Sequence, residues 1–138
     1  MALDVGRVRI GMALSDITKT IASPLQSYTR KNLADDIAVI CKVVTDNAVS
    51  TVVSGMPLSM DGTKNAQCLD IEGFIEELKK SLTVPVVYQD ERFTTMSANR
   101  VLMESGVRRE DRKKSVDKIA AAYILETYLA KLSSSFGV

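Results

Sequence analysis

Apolar and polar side chains alternate along the N-terminal part of the chain, which is the pattern of half-buried strands. The even positions from 8 to 14 are all apolar. Residues 3–15 therefore predict two strands, and Gly6 and Arg7 supply a hairpin turn between them. Residues 20–29 predict a third strand, in which Pro24 indicates a bulge or a sheet edge. We expect three consecutive antiparallel strands at the start of the fold.

Helical and strand-like segments alternate along the rest of the chain. The first helix is predicted to begin after Asn32, a good N-cap residue, because apolar residues recur at helical spacing up to position 47. Three further segments predict helices: residues 63–82, 94–105 and 115–132. Two short apolar runs predict buried strands: residues 50–54 and 84–88. The polar segment 106–114 is predicted to be a loop.

The predicted order of elements, βββαβαβαα, is that of an α/β fold. A strand meander followed by β-α-β crossovers gives a mixed five-stranded sheet flanked by helices. Three antiparallel strands would come first in this sheet, and parallel strands would follow. The length of 138 residues, without an internal repeat or linker, predicts a single domain over residues 1–138.

The composition, with 46% hydrophobic and 25% charged residues, is that of a soluble globular protein. No apolar run approaches the roughly 20 residues that cross a bilayer. The first apolar stretch contains Asp4, Arg7 and Arg9, unlike a signal peptide. We therefore expect a cytoplasmic protein that does not contact membranes. The net charge of +1 gives no global attraction for nucleic acids, so such binding would depend on local clusters.

The chain contains no histidine, and this excludes several kinds of catalysis at once. Ser-His-Asp and Cys-His mechanisms, histidine-ligated zinc and histidine acid–base chemistry all require that side chain. The two cysteines, Cys41 and Cys68, are too few and too isolated for a disulfide framework or a zinc site. An enzyme with this sequence must use carboxylates, lysines, hydroxyls or metal ions.

Carboxylates occur at places where the predicted elements could converge. Asp4 lies in the first strand, where an ionised carboxylate is costly unless it is paired or bound to a cation. The alternative for Asp4 is a turn residue before Gly6. Asp90 and Glu91 follow the predicted strand 84–88, and ligands bind at the carboxyl ends of strands in open α/β sheets. The alternative for this pair is a solvated strand exit.

Asp117 lies near the start of the last predicted helix, on or beside the apolar positions 121, 124 and 128. An acid on that stripe would point toward the sheet. The alternative is a first-turn acid that the helix dipole favours, with Ser115 as the cap. Three converging acids would suit Mg²⁺ or Mn²⁺, and two such ions can activate a water and stabilise the leaving oxygen of a phosphodiester.

A basic cluster stands directly before Asp117: Arg108, Arg109, Arg112, Lys113 and Lys114. Such a cluster would bind the phosphate backbone of a nucleic acid. The alternative is a solvated loop that Glu110 and Asp111 partly neutralise.

Four blocks of this sequence resemble the YqgF/RuvX-like family and fall in the family's order. They lie at residues 3–16 (LDVGRVRIGMALSD), 55–63 (GMPLSMDGT), 90–98 (DERFTT, then Ala98) and 116–129 (VDKIAA, then IL and YL). The blocks cover nearly the whole chain. The resemblance implies an RNase H-like fold, which has the order of strands and helices predicted above.

The resemblance also implies an activity and a set of site residues. The family is one of nucleases that process the 5′ end of pre-16S rRNA, and an older assignment, by similarity to RuvC, is Holliday junction resolvase. Carried over by position, Asp4, Glu91 and Asp117 are implied to be metal-binding catalytic acids, with Asp90 as the alternative to Glu91. Arg9 and Arg92 are implied to contact substrate phosphates.

Three hypotheses about function follow. The first is a nuclease, dependent on Mg²⁺ or Mn²⁺, that acts on precursor rRNA during ribosome biogenesis. The second is a resolvase of branched DNA, which would generally need a dimer because it cuts symmetrically. The third is a nucleic-acid-binding module without catalysis, since one fold hosts many functions. We expect a monomer or a weak dimer.

Overall fold

A computed structural model of the protein describes the backbone of residues 1–90 and 109–136, and the side chains of residues 1–90 and 116–132. The elements in chain order are β1 (Ala2–Val5), β2 (Arg9–Ser15), β3 (Ala22–Thr29), α1 (Leu33–Asp46), β4 (Val52–Met56), α2 (Ala66–Lys79), β5 (Val86–Asp90) and α3 (Arg109–Phe136). The helix predicted over residues 94–105 lies outside the described residues.

The five strands form one mixed sheet in the order β3-β2-β1-β4-β5. The first three strands pair antiparallel, while β1–β4 and β4–β5 are parallel, so the predicted topology is confirmed. The register between β2 and β3 shifts at Met12 and Ala13, and Ala13 pairs with Pro24. The sequence-based prediction of a bulge or an edge at Pro24 is thus confirmed on both counts, because β3 is an edge strand.

Helices cover both faces of the sheet. Alternate residues of β1 and β2, such as Leu3 and Ile10, pack into a core with α1 and α2. The residues between them, such as Ala2 and Ala13, pack against Ala121, Ile124 and other apolar residues of α3. Small residues therefore line the α3 side of the sheet, which lets this helix lie close to β1 and β2.

Most helix and strand ends follow local rules. The Asn32 side chain caps α1 by accepting a hydrogen bond from the Asp35 N–H, as predicted. The second helix begins later than predicted, because Asn65 caps it and Thr63 instead bonds to Asp61 in a turn. Strands β4 and β5 extend to Met56 and Asp90, two residues beyond the predicted ends.

The start of the last helix was predicted wrongly. Residues 109–114 were expected in a loop, but α3 already begins at Arg109. The segment 109–136 contains neither glycine nor proline, and its early arginines, lysines and glutamate are good helix formers. Four residues of the basic cluster therefore lie on the first turns of a helix: Arg109, Arg112, Lys113 and Lys114.

A buried ion pair connects the β1–β2 turn to the helices. Asp36 of α1 is 1% exposed and accepts hydrogen bonds from Arg30 Nε and the Lys31 N–H, both at 2.9 Å. Burial alone would raise the pKa of Asp36, but these hydrogen bonds hold that pKa below its usual range. Arg30 also donates to the Gly6 carbonyl at 3.0 Å and lies over the Phe74 ring.

Replacement of Asp36 by Ala is expected to lower the free energy of unfolding by about 2 kcal/mol, because it leaves the partly buried Arg30 charge without its carboxylate. Thermal or urea unfolding measures this loss. The matched control is Asp35→Ala, since Asp35 is exposed on the same turn of α1. Equal stabilities for the two variants would contradict the structural role assigned to Asp36.

In the part of the chain that the structure describes, none of the helices combines the length and apolar character needed to cross a membrane.

Candidate active site

Asp4 lies on β1, the central strand, with its side chain on the α3 side of the sheet. Its neighbours Leu3 and Val5 belong to the core on the opposite face. In the antiparallel register Asp4 pairs with Gly11 of β2, and it is only partly exposed. Asp4 is therefore a carboxylate within a strand of the sheet, not a turn residue before Gly6.

Gly11 allows α3 to come into direct contact with the sheet beside Asp4. A Cβ atom at Gly11 would lie 1.9 Å from the carbonyl oxygen of Asp117 and 2.8 Å from the backbone nitrogen of Lys118. No side chain fits in that space, because real Cβ atoms do not approach backbone atoms so closely. The missing side chain thus places the backbone of α3 at Asp117 directly over β2.

Asp117 is held by two side chains from the sheet. Its Oδ2 accepts a hydrogen bond from Arg9 Nε at 2.7 Å and one from Ser27 Oγ at 3.4 Å. Arg9 stands two residues before Gly11 on β2, and Ser27 pairs with Gly11 across β3. Asp117 is the ninth residue of α3, so it points at the sheet from within the helix and is not the first-turn acid of the alternative interpretation.

The two carboxylates affect one another electrostatically. Burial, and then the negative charge of Asp117, raise the pKa of Asp4 to about 7. A raised pKa means that the folded protein disfavours the ionised form of Asp4. A proton or a cation placed between the two acids would relieve this repulsion, and oxygen ligands of this kind suit hard divalent cations.

Asp90 does not face Asp4. Tyr88, two residues earlier on β5, lies beneath the ammonium group of Lys79 on α2, at 5.9 Å from Nζ to the ring centre. Since alternate strand residues share a face, Asp90 lies on the α2 side of the sheet. Val87 packs with the α3 core, so buried Gln89 shares the face of Asp4.

The remaining predicted site residues are placed only in part. Glu91, Arg92 and Arg108 lie outside the described residues. The other four basic residues of the cluster precede Asp117 on α3: Arg109, Arg112, Lys113 and Lys114. The structure therefore brings together Asp4, Asp117 and Arg9 of the predicted set.

Two residues of this arrangement were not singled out from the sequence. Gly11 could have been found, because a glycine inside a strand indicates close approach by another part of the backbone. Ser27 carried no such signal, since a serine in an exposed edge strand is unremarkable by type and position.

Solved structures with a similar fold are resolvases. RuvC of Thermus thermophilus, in complex with a Holliday junction substrate, superimposes with a TM-score of 0.58 over 96% of this chain and 94% of that chain, at 14% identity. The fowlpox virus resolvase in complex with Holliday junction DNA gives a TM-score of 0.57 over 94% and 95% of the two chains, at 12% identity. At such identities the likeness concerns the fold.

The mixed sheet and the helix that carries an acid to its central strand define an RNase H-like fold. The sequence also identifies the family, because a family model described as RuvX, Holliday junction resolvase, matches residues 1–131. The chain belongs to that family.

Relatives of known name agree with this class. A protein of Clostridium acetobutylicum is 41% identical over 129 residues, which are 94% of this chain and 96% of the relative. A protein of Caldanaerobacter subterraneus is 40% identical over 98% of both chains. Each carries the provisional name of a pre-16S rRNA nuclease.

Proposed function

We propose that this protein is a divalent-metal-dependent nuclease that processes the 5′ end of pre-16S rRNA in the cytoplasm. The observation that carries the proposal is the juxtaposition of Asp4 and Asp117, where burial, and then the charge of Asp117, raise the pKa of Asp4 to about 7. Partly buried acids that repel one another lower the stability of the folded protein. Carboxylates with perturbed pKa values cluster at functional sites. The names of the relatives support the choice of substrate.

The residues present fit Mg²⁺ or Mn²⁺. Both ions prefer carboxylate oxygens, and the site offers two such side chains without sulfur or imidazole ligands. Within residues 1–90 and 116–132, no group of three acidic, cysteine or histidine side chains could by itself hold a metal. We propose that a third acid from elsewhere in the chain completes the site.

We assign that third position to Glu91, with Asp90 as the weaker candidate. Asp90 lies on the α2 side of the sheet, away from Asp4. The resemblance of residues 90–98 to the family implies the same choice. A bound metal would supply a polarised water and charge stabilisation for the leaving oxygen.

The chain's own residues would bind and orient the substrate. Arg9 reaches Asp117 through Nε and is 35% exposed, so its guanidinium lies at the edge of the site, within reach of a phosphate. We propose the same role for Arg92. The basic residues Arg108, Arg109, Arg112, Lys113 and Lys114 precede Asp117, and we propose that they bind the flanking phosphates.

A second candidate substrate is branched DNA. The family description names a Holliday junction resolvase, and both solved structures described above contain junction DNA. We favour RNA because the relatives that match over almost their full length bear the rRNA nuclease name. We also propose a monomer or a weak dimer, whereas symmetric cleavage of a junction would call for a dimer.

The test is a Mg²⁺-dependent cleavage assay on a precursor 16S rRNA fragment and, in parallel, on a four-way DNA junction. We expect cleavage of the RNA by the wild type. The cleavage rate of Asp117→Asn should be lower by at least about hundredfold, because a proposed metal ligand is removed and each loss of about 1.4 kcal/mol in transition-state stabilisation lowers the rate tenfold. The matched control is Asp70→Asn, an acid whose side chain is 60% exposed and pairs with exposed Arg7.

Three outcomes would contradict parts of the proposal. Cleavage of the junction alone would replace the RNA substrate with branched DNA. Equal rates for wild type and Asp117→Asn would show that the site is misplaced. Binding of nucleic acid without any cleavage would favour the non-catalytic module.

A further inference from the structure

Arg9 makes the shortest charged contact of the proposed site. Its Nε lies 2.7 Å from Asp117 Oδ2, and the side chains of the two residues are 35% and 17% exposed. A charge-assisted hydrogen bond of this length, partly removed from water, is stronger than an ordinary surface ion pair. Arg9 and Asp117 are 108 residues apart in the sequence, so only the fold brings them together.

The positive charge of Arg9 compensates only one of the two acids. Arg9 Nε contacts Asp117 Oδ2, and none of the ion pairs of the described residues involves Asp4. Among the ion pairs of the described residues, Arg9 is the cation that contacts this site. The arginine therefore neutralises Asp117, and Asp4 has no such partner among the described ion pairs.

A divalent cation bound by both carboxylates would stand close to the Arg9 guanidinium. The cation and the guanidinium are both positively charged, so they would repel each other, and solvent screens this repulsion weakly where the groups are partly buried. The oxygen Asp117 Oδ2 already accepts two hydrogen bonds, from Arg9 and from Ser27. Arg9 and the metal would therefore both interact with the negative charge of the Asp117 carboxylate.

We propose that Arg9 is the resident counter-ion of Asp117: it holds this carboxylate in place in the metal-free protein and competes with the divalent cation for it. This inference rests on the metal site proposed above and assigns Arg9 a role beyond contact with phosphates. Arg9 is a positioning residue in this role, and it sets the metal concentration at which the site fills.

The test measures Mn²⁺ binding by electron paramagnetic resonance of the free ion at low ionic strength, without nucleic acid. Arg9→Gln is expected to bind Mn²⁺ about tenfold more tightly than wild type, because a unit positive charge beside the ion is removed. Arg9→Lys keeps the charge and should stay within about twofold of wild type. Ser27→Ala, which keeps Arg9, should also change the affinity by less than about twofold.

Thermal unfolding of the same variants supplies a readout that does not depend on activity. In EDTA, Arg9→Gln should unfold at a lower temperature than wild type, because the two acids then repel without compensation. Saturating Mn²⁺ should remove most of that difference. Arg7→Gln is the matched control, since the Arg7 side chain is 78% exposed and pairs with Asp70 away from the site.

The failures of the two proposals are distinguishable. If wild type binds Mn²⁺ and Asp4→Asn does not, but Arg9→Gln binds it equally or more weakly than wild type, Arg9 is not a competitor and this inference is overturned. If wild type shows no Mn²⁺ binding that depends on Asp4, the metal site itself is wrong and both proposals fall.

Discussion

Replacement of Asp4 by Asn is expected to abolish metal-dependent cleavage and, at the same time, to stabilise the metal-free protein. Cleavage should fall by at least about a thousandfold, because the central ligand of the proposed site is lost and several kcal/mol of transition-state stabilisation with it. The gain in stability arises because Asn has no charge that burial would disfavour and none that would repel Asp117.

The stability effect of Asp4→Asn should depend on pH in a defined direction. The pKa of Asp4 is about 7 in the folded protein, against 3.8 for the unperturbed group. Between these values the folded state keeps a proton that the unfolded state has lost, so the wild type loses stability as the pH rises from about 4 to 7. The variant lacks this loss, so above pH 7 its free energy of unfolding should exceed that of the wild type by roughly 2–4 kcal/mol.

Urea unfolding of both proteins in EDTA at pH 4.5, 6 and 8 measures this difference. Asp70→Asn should show no such trend, because Asp70 is an exposed acid outside the site. A difference in stability between wild type and Asp4→Asn that stays constant over this range would contradict the raised pKa of Asp4 and its two causes, burial and the charge of Asp117.

The second large effect is expected for Gly11→Ala. The added Cβ would lie 1.9 Å from the Asp117 carbonyl oxygen, and neither atom belongs to a side chain that can rotate away. Because both contacts are with backbone atoms, α3 and β2 must move apart, so the free energy of unfolding should fall by about 3 kcal/mol. Cleavage should fall too, since the same displacement carries Asp117 away from Asp4.

Gly73→Ala is the matched control for this substitution. Gly73 lies on the exposed side of α2, and a Cβ there would meet nothing within 4 Å. This change should stabilise the protein by up to about 1 kcal/mol, because glycine is unfavourable inside a helix. A Gly11→Ala variant that unfolds at the temperature of wild type would show that α3 does not contact β2 as described.

Much of the fold could be predicted from local pattern. The alternation over residues 8–15, the cap at Asn32 and the apolar runs of β4 and β5 report short-range preferences that the folded chain keeps. Prediction failed where local chemistry was ambiguous. The basic stretch before Asp117 resembles a polar loop, yet its residues form helix well, and the structure places 109–114 in α3.

The site was less accessible to prediction, because its contacts join distant parts of the chain. The local sequence around Asp117 cannot show that Arg9 and Ser27 hold its carboxylate. The sequence around Asp90 could not show that this residue lies on the α2 side of the sheet, since this depends on β5 extending to Asp90. The resemblance to the family indicated which acids to consider, and the fold showed that Asp4 and Asp117 lie together.

We propose that Asp4 and Asp117 bind a divalent metal. Crystals of the wild type and of Asp4→Asn, soaked in Mn²⁺ and measured for anomalous scattering, test this binding. We predict a manganese peak at coordination distance from both carboxylates in the wild type, and none there in the variant. A wild-type site that stays empty at Mn²⁺ concentrations that saturate cleavage, or a peak away from both acids, would show that these two residues do not bind the metal.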